Sequence, residues 1–360
     1  MLGFIVPGPI SIPNSIVRSD TQCNLNITDN LDIQLRKFWK LEEIPKTKHF
    51  SDEELACEKH YQETTTLDKT GRFIVLLPLK DFTSKLGESR TSATKRFISL
   101  ENKFKRNRQY KKFIHEYISL GHMSLVQNPI GNFGYFLPHY AVLKGSSSTT
   151  KLRVVFDASA KSDSNTSLND ILMVGLTIQD DLIAIVLRFR KHNIVLSADI
   201  AKMYRQVIVK EDERHSQQVI WRSNFEDPLS VYKLNTVTSG TSSVPFLAIR
   251  PLHEIAHRHS VEFKKASDII LHDFYVDDLL TGASTIDEIN KIKQDVSFLL
   301  GKYGFVLRKW QFNQPLEVPT TTSIEQLLIA DDQSSRTLGL IWNPRVDTLQ
   351  YDISLMTVPK

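Results

Sequence analysis

The feature that most constrains the fold is a pair of neighbouring carboxylates, Asp277 and Asp278, in the apolar stretch LHDFYVDDLLTG at 271–282. The stretch, which also holds Asp273, has the composition of a β-strand, and burying adjacent charges inside a strand is costly. A hairpin with the acids at its turn resolves the conflict, because aspartate is tolerated in tight turns. Neighbouring strand residues point to opposite faces, so one carboxylate can face a site while the other supports it from the side.

A second strand-like segment, IVLSAD, ends on Asp199 and can bring a further carboxylate within reach. Converging carboxylates repel one another unless a cation neutralises them. Oxygen ligands favour a hard ion such as Mg²⁺, and two such ions about 4 Å apart stabilise the attacking and leaving oxygens of phosphoryl transfer. The alternative is that Asp277 and Asp278 are surface turn residues, since acidic turns are common.

The length and composition set broad limits on the class of protein. A chain of 360 residues with 41% hydrophobic residues and a net charge of +4 can form two or three domains or one multi-lobed domain. Its two cysteines lie in no CxxC or Cys/His cluster, which argues against a disulfide framework or zinc site and favours an intracellular, cytoplasmic location. No apolar run reaches 18 residues, so we expect no membrane span.

The order of predicted elements indicates an α+β fold. From about residue 180 onward the pattern is helix, strand, further strands, helix, hairpin, helix and two strands, without the regular alternation of a doubly wound sheet. Capping-box patterns begin two of the helices, at Ser51 with Glu54 and at Thr285 with Glu288. Pro245 falls in the first turn of another predicted helix, and Gly304 follows the end of the clearest one.

The segment at 94–120, TKRFISLENKFKRNRQYKKFIHEYISL, is the most basic part of the chain. Its aromatic and aliphatic residues recur at spacings that fit one face of a helix, with lysine and arginine between them. One interpretation is an ordinary solvated helix face. The other is a surface that follows the phosphates of a nucleic acid.

Several motifs together resemble those of reverse transcriptases. FYVDDLL is similar to the YxDD signature, and the other polymerase motifs stand in the expected order: KLRVVFDAS, LSADIAKMYRQV, TSGTSSVPFLAIRPL, LRKW and LGLIW. The residue sequences of these motifs and of LRKFWKLEEIP most resemble those in the polyproteins of BEL/Pao-type retrotransposons. The resemblance extends over roughly 30–350.

The resemblance implies a right-hand polymerase fold, with fingers, palm and a partial thumb or connection, and an antiparallel palm sheet backed by helices. The segments it implies are a remnant of the C-terminal strand of an aspartic protease at 1–12, a helical linker at 13–70, the fingers and start of the palm at 71–198, the palm with its catalytic site at 199–320, and the primer grip and start of the thumb or connection at 321–360.

The resemblance also implies a metal site. Asp199 and Asp277 would bind two Mg²⁺ ions, for which Mn²⁺ could substitute, with help from the backbone carbonyl of Ile200. Asp278 would complete the catalytic site from the neighbouring position. Lys309 would be a further catalytic residue that protonates or shields the leaving pyrophosphate, although a lone lysine is generally a surface residue.

The nucleotide and primer sites are implied in the same way. Tyr204 would be the steric gate that excludes a ribose 2′-OH, the alternative being an ordinary core aromatic. Arg153, with Lys151 nearby, would clamp the triphosphate. Ser239 and Gly240 would lie near the nucleotide, with Ser239 in place of the larger residue usual in such enzymes. Gly339 and Trp342 would belong to the primer grip.

The implied activity is RNA-directed DNA polymerisation, with a primed RNA or DNA template and dNTPs as partners. An RNase H and an integrase are expected from the same or a neighbouring polyprotein, because the sequence contains neither their motifs nor an Asp-Thr/Ser-Gly protease triplet. We therefore expect the chain to be a fragment of a larger element. The alternative function is a truncated, inactive remnant that binds nucleic acid.

Overall fold

The computed structural model describes residues 50–80, 85–104, 108–127, 129, 131, 133–143, 152–313, 335–337 and 340–351. Phe50–Lys360 forms one compact unit. The predicted protease remnant at 1–12 and most of the predicted linker at 13–70 lie outside the described residues. Within the part described, no helix has the length and apolar character needed to cross a membrane.

The architecture is α+β, as the element order predicts. The helices are α1 (Asp52–Thr64), α2 (Arg90–Phe104), α3 (Arg108–Ser119), α4 (Leu168–Ile171), α5 (Leu182–Arg190), α6 (Val244–His259), α7 (Lys264–His272) and α8 (Ile286–Gly301), with 3₁₀ turns at Met203–Gln206 and Glu211–Gln217. The strands are β1 (Thr66–Leu67), β2 (Phe73–Val75), β3 (Met123–Leu125), β4 (His139–Leu143), β5 (Leu152–Phe156), β6 (Ile194–Ile200), β7 (Ile208–Val209), β8 (Gln218–Trp221), β9 (Ser230–Leu234), β10 (Phe274–Tyr275), β11 (Asp278–Ala283), β12 (Leu307–Phe312), β13 (Ser335–Thr337), β14 (Leu340–Asn343) and β15 (Thr348–Tyr351).

One sheet carries the carboxylates. It has four strands in the order β10-β11-β6-β12, and all three neighbouring pairs are antiparallel. The other sheets described are smaller, with orders β1-β2-β7, β3-β9-β8, β13-β14-β15 and β4-β5, and the pair β2–β7 is parallel. The four-stranded sheet therefore has β6 in its interior and β12 at one edge.

The alternation of side chains along β6 gives the four-stranded sheet two different faces. Leu196, Ala198 and Ile200 pack into the main hydrophobic core with residues of α8. Val195 belongs instead to a second, smaller cluster with Leu280, two residues of α5 and Trp342. Asp199 is on the same face as Val195, four residues further along the strand. Helix α8 therefore backs one face, while the other carries the acid.

The local predictions at helix starts are largely confirmed. Ser51 Oγ accepts a hydrogen bond from the Glu54 amide, and the Glu54 carboxylate accepts one from the Ser51 amide at 2.8 Å, which completes a capping box. Thr285 accepts from the Glu288 amide as predicted, but the Glu288 carboxylate accepts from the Ser284 amide instead of that of Thr285. Only half of the second predicted capping box forms.

Two segments differ from the sequence prediction. The stretch at 271–282 is not strand throughout, because Leu271 and His272 belong to α7, whose residues Ala266, Ile269 and Ile270 are buried. That i, i+3, i+4 spacing is helical, and a short apolar run does not distinguish a buried strand from a helix. The basic segment at 94–120 forms two helices, α2 and α3, instead of one continuous face.

Candidate active site

The two neighbouring acids lie at the tip of the β10–β11 hairpin. Tyr275 pairs with Asp278, so Val276 and Asp277 form a two-residue turn. Val276 has a φ of 55°, which is unfavourable for a β-branched side chain. Two contacts hold the turn: the Val276 amide donates to Gln179 Oε1 at 3.2 Å, and the Ile200 amide donates to the Asp277 carbonyl oxygen at 2.8 Å. The hairpin tip is thus fastened to the end of β6.

The predicted carboxylates come together. Asp278 lies directly opposite Asp199 in the register of β11 and β6, and side chains of such pairs have Cβ atoms about 5 Å apart on the same face. Burial raises the pKa of Asp277, and the negative charge of Asp199 raises it further. All three acids are partly exposed and none is sealed beneath the core. The site is therefore a group of mutually repelling carboxylates that solvent can reach.

Two cations contact Asp199. Arg308 Nε lies 2.9 Å from Oδ1, and Lys309 Nζ lies 2.8 Å from Oδ2. Arg308 is the direct cross-strand partner of Asp199, and the register then shifts between Arg308 and Gln311. Lys309 has a φ of 54°, in the left-handed region. This irregularity in β12 lets two consecutive side chains reach the same carboxylate.

The donor set fits a hard divalent cation only in part. The oxygen donors of Asp199 and Asp277 have the right chemistry, and positive charge already lies beside Asp199 in the form of Lys309. However, in the part of the chain that the structure describes, no group of three or more His, Cys, Asp or Glu side chains is arranged to hold a metal ion. A complete site would need side chains to move, beginning with the cations on Asp199.

Tyr204 and Arg153 lie close enough to influence, or be influenced by, the charge of Asp277. Burial raises the pKa of Tyr204, and the charge of Asp277 adds to that shift. Arg153, an exposed residue of β5, acts on Asp277 in the opposite sense and lowers its pKa, as Lys309 does. The structure thus brings a partly exposed tyrosine and an arginine to the group of acids, as the resemblance implies. Their roles toward a nucleotide stay predictions.

Gly240 and Ser239 lie on a turn before α6. Gly240 has a φ of 116°, and a Cβ there would come within 2.0 Å of the Phe156 carbonyl oxygen. The requirement for glycine at this position thus has a cause within the chain, the close approach to the end of β5. Ser239 is exposed.

Trp342 is a core residue of the smaller cluster. It is 2% exposed, packs edge-on against Phe189 at 5.1 Å between ring centroids, and donates from Nε1 to Asp347 Oδ1 at 3.0 Å. It therefore covers the Val195 end of the face that carries Asp199. Lys151 and Gly339, the other predicted nucleotide and primer residues of these segments, lie outside the described residues.

An ion pair between a partly exposed arginine and a buried acid at the base of the hairpin is absent from the sequence-based prediction. Asp273 is 9% exposed, accepts from Thr281 Oγ1 at 2.7 Å, and pairs with Arg188 Nε at 3.0 Å. Burial raises the pKa of Asp273, and the bonds from Thr281 and Arg188 oppose the shift. Arg188 also bridges to Asp180 at 2.9 Å. No local pattern links residues 85 positions apart, and Arg308 was missed for the same reason.

Backbone strain is concentrated around the acids. Among the described residues, five that are not glycine have a positive φ: Asn165, Lys202, Val276, Lys309 and Asp347. Lys202 and Val276 lie within three positions of an acid of the site, and Lys309 contacts Asp199 directly. Such conformations cost about 1–3 kcal/mol each and persist where the surroundings over-determine them. The strained residues of this part of the chain therefore lie beside the group of acids.

Comparison with known proteins finds similarity to solved structures. No family model and no curated protein matches this sequence. Among solved structures, a foamy viral protease–reverse transcriptase in complex with double-stranded DNA is similar, with a TM-score of 0.43 and 18% sequence identity. The similarity covers 56% of this chain and 30% of that chain, so the present chain spans less than a third of that protein.

Proposed function

We propose that this chain is the reverse transcriptase region of a BEL/Pao-type retrotransposon polyprotein, with RNA-directed DNA polymerase activity. The observation that carries the proposal is the meeting of Asp199 with Asp277 and Asp278 at the solvent-accessible ends of two interior strands of an antiparallel sheet. The six motifs that resemble polymerase motifs supply the reaction class. The sheet backed by α8 would be the palm of a right-hand fold.

Each residue near the acids has a proposed task. Asp199 and Asp277, with Asp278 beside them, would hold two Mg²⁺ or Mn²⁺ ions, which when bound stabilise the attacking primer 3′-OH and the leaving pyrophosphate oxygens. Arg153 would bind the triphosphate of the incoming dNTP through charge-assisted hydrogen bonds. Tyr204 would occupy the space of a ribose 2′-OH. The exposed lysines of α2 and α3 would contact template phosphates.

Primer extension on poly(rA)/oligo(dT) with Mg²⁺ tests the activity. We expect Asp277→Asn to lower the rate by about 10³-fold or more, because a metal-binding charge at the reacting centre is lost. Asp268→Asn is the matched control, since Asp268 is an exposed acid of α7. Normal extension by Asp277→Asn would overturn the mechanism. A loss shared by Asp268→Asn would point to general damage instead of loss of the catalytic centre.

The second candidate function is a nucleic-acid-binding remnant without catalysis. It is favoured by the two cations that already contact Asp199 and by the missing three-ligand group among the described residues. It predicts salt-sensitive binding of primed template with no incorporation of dNTP. A filter-binding titration at rising salt, run beside the extension assay, separates the two functions.

A further inference from the structure

Asp199 contacts two neighbouring cations of one strand, and this arrangement is unusual for a regular β-strand. Consecutive side chains of a strand point to opposite faces of the sheet. Arg308 and Lys309 nevertheless bond to the two oxygens of the same carboxylate, at 2.9 and 2.8 Å. A regular continuation of β12 would turn Lys309 away from Asp199.

The backbone of β12 is shaped to make this double contact. The register of β12 against β6 is lost immediately after Arg308, and Lys309 takes a φ of 54° that an L-residue rarely adopts. The strained residue is the one whose ammonium group reaches Asp199. The left-handed backbone lets the Lys309 ammonium reach Asp199 beside Arg308, so the double contact follows from the shape of the strand.

We infer that Arg308 and Lys309 form an internal counter-charge that competes with divalent cations for the Asp199 carboxylate. The inference rests on the proposed function, because it concerns the same acid. Lys309 and Arg308 neutralise Asp199 while no metal is bound, and they must leave it before both of its oxygens can bind a divalent cation. Lys309 therefore has a task before catalysis, separate from any contact with pyrophosphate.

The positions of the two cations suit such a displacement. The Asp199 side chain is 17% exposed, whereas those of Arg308 and Lys309 are 48% and 52% exposed. β12 is an edge strand of its sheet, so both long side chains have solvent beside them to move into. The acid is held in place between β11 and β12, and the cations are the movable partners.

Mn²⁺ binding to the full chain, measured by the loss of the EPR signal of free Mn²⁺, tests the inference without any turnover. Lys309→Met keeps the length of the side chain and removes its charge. We expect it to bind Mn²⁺ about 3- to 10-fold more tightly than the wild type, because one partly exposed ion pair no longer competes. Arg308→Gln, which leaves the backbone of Lys309 untouched, should shift binding in the same direction and covers the case in which Lys309→Met does not fold.

The matched control is Lys265→Met. Lys265 is also 52% exposed and also pairs with one acid, Glu288, far along the chain from Asp199. Lys265→Met should leave the affinity of the chain for Mn²⁺ unchanged. The inference is overturned if both Lys309→Met and Arg308→Gln bind Mn²⁺ no more tightly than the wild type while Asp199→Asn loses binding. That result would leave the proposed function intact. Equal Mn²⁺ binding by Asp199→Asn and wild type removes the metal site itself, and the proposed function with it.

Discussion

The two faces of the four-stranded sheet are made by alternate residues of the same strands, yet they differ in kind. On one face Leu196, Ala198 and Ile200 pack in a continuous apolar core against α8. On the other face the character changes along β6, from buried Val195 to the partly exposed Asp199. The apolar face stabilises the fold, and that stability allows the other face to hold like charges close together.

The same contrast appears in the backbone. Neither Leu196 nor Ala198 is among the residues with a positive φ, whereas Val276 and Lys309, at the acid end, both are. Neighbouring carboxylates and non-glycine residues with a positive φ each lower the stability of the folded state. Their persistence together implies that the apolar face supplies the compensating free energy. Substitutions in the apolar core and substitutions at the acids should therefore change the free energy of unfolding in different directions.

The largest effect is expected on the apolar face. Leu196 is fully buried, and Leu196→Ala should lower the free energy of unfolding by about 2–5 kcal/mol, since it leaves a cavity that the packed helices cannot fill. Urea unfolding followed by circular dichroism measures this. Ile183→Ala on α5, where the side chain is 75% exposed, is the control and should change stability by no more than about 0.5 kcal/mol. A cost below that of the control would contradict the assignment of this face as the stabilising one.

The next effect concerns the ion pair that anchors the hairpin. Arg188→Met would leave the buried Asp273 carboxylate with Thr281 as its remaining side-chain donor among the bonds described, and we expect a loss of about 2–3 kcal/mol. Asp273→Asn in the same background should recover part of that loss, because it removes the unpaired charge. If the two substitutions change the free energy of unfolding additively, the Arg188–Asp273 ion pair does not stabilise the hairpin.

Structural features set by residues close together in the sequence could be predicted, whereas contacts between residues far apart in the sequence could not. The helix starts at Ser51 and at Thr285 are set within a few residues, and both are predicted from the sequence. The convergence of Asp199 with the hairpin was also predicted, because each acid marks the end of an apolar strand. The contacts of Arg308 and Arg188 cross 109 and 85 positions, and no local pattern reports them. The first two residues of the strand-like stretch at 271–282 are helical, because tertiary burial decides between two possible periods.

A smaller effect is expected at the strained residue of the hairpin turn. Val276→Gly removes a side chain from a residue with a φ of 55°, so relief of strain should offset the lost contacts and keep stability within about 1 kcal/mol of the wild type. Val195→Gly makes the same change at a fully buried position of β6 without a positive φ, and should cost about 3 kcal/mol. Equal costs for the two substitutions would show that Val276 is unstrained in solution.

The smallest effect is the pH dependence of stability at Asp277. Its pKa is raised in the folded chain, first by burial and then by the charge of Asp199, from an ordinary value of 3.8. A raised pKa means that the folded state disfavours the ionised form, so the wild type loses stability as the pH rises from below 3.8 through the folded pKa. Asp277→Asn escapes this loss and should be slightly more stable than the wild type at pH 7.

The difference between Asp277→Asn and the wild type should shrink as the pH falls and vanish below the unfolded pKa, where the carboxyl is neutral in both the folded and the unfolded state. Urea unfolding from pH 3 to pH 8 measures the difference, and Asp268→Asn, an exposed acid, should show no comparable trend. A constant difference at every pH would mean that the amide changes packing and not charge. The informative result is that Asp277→Asn raises the free energy of unfolding only above the unfolded pKa and also abolishes primer extension. The charge of Asp277 would then lower stability at the hairpin tip while being required for activity.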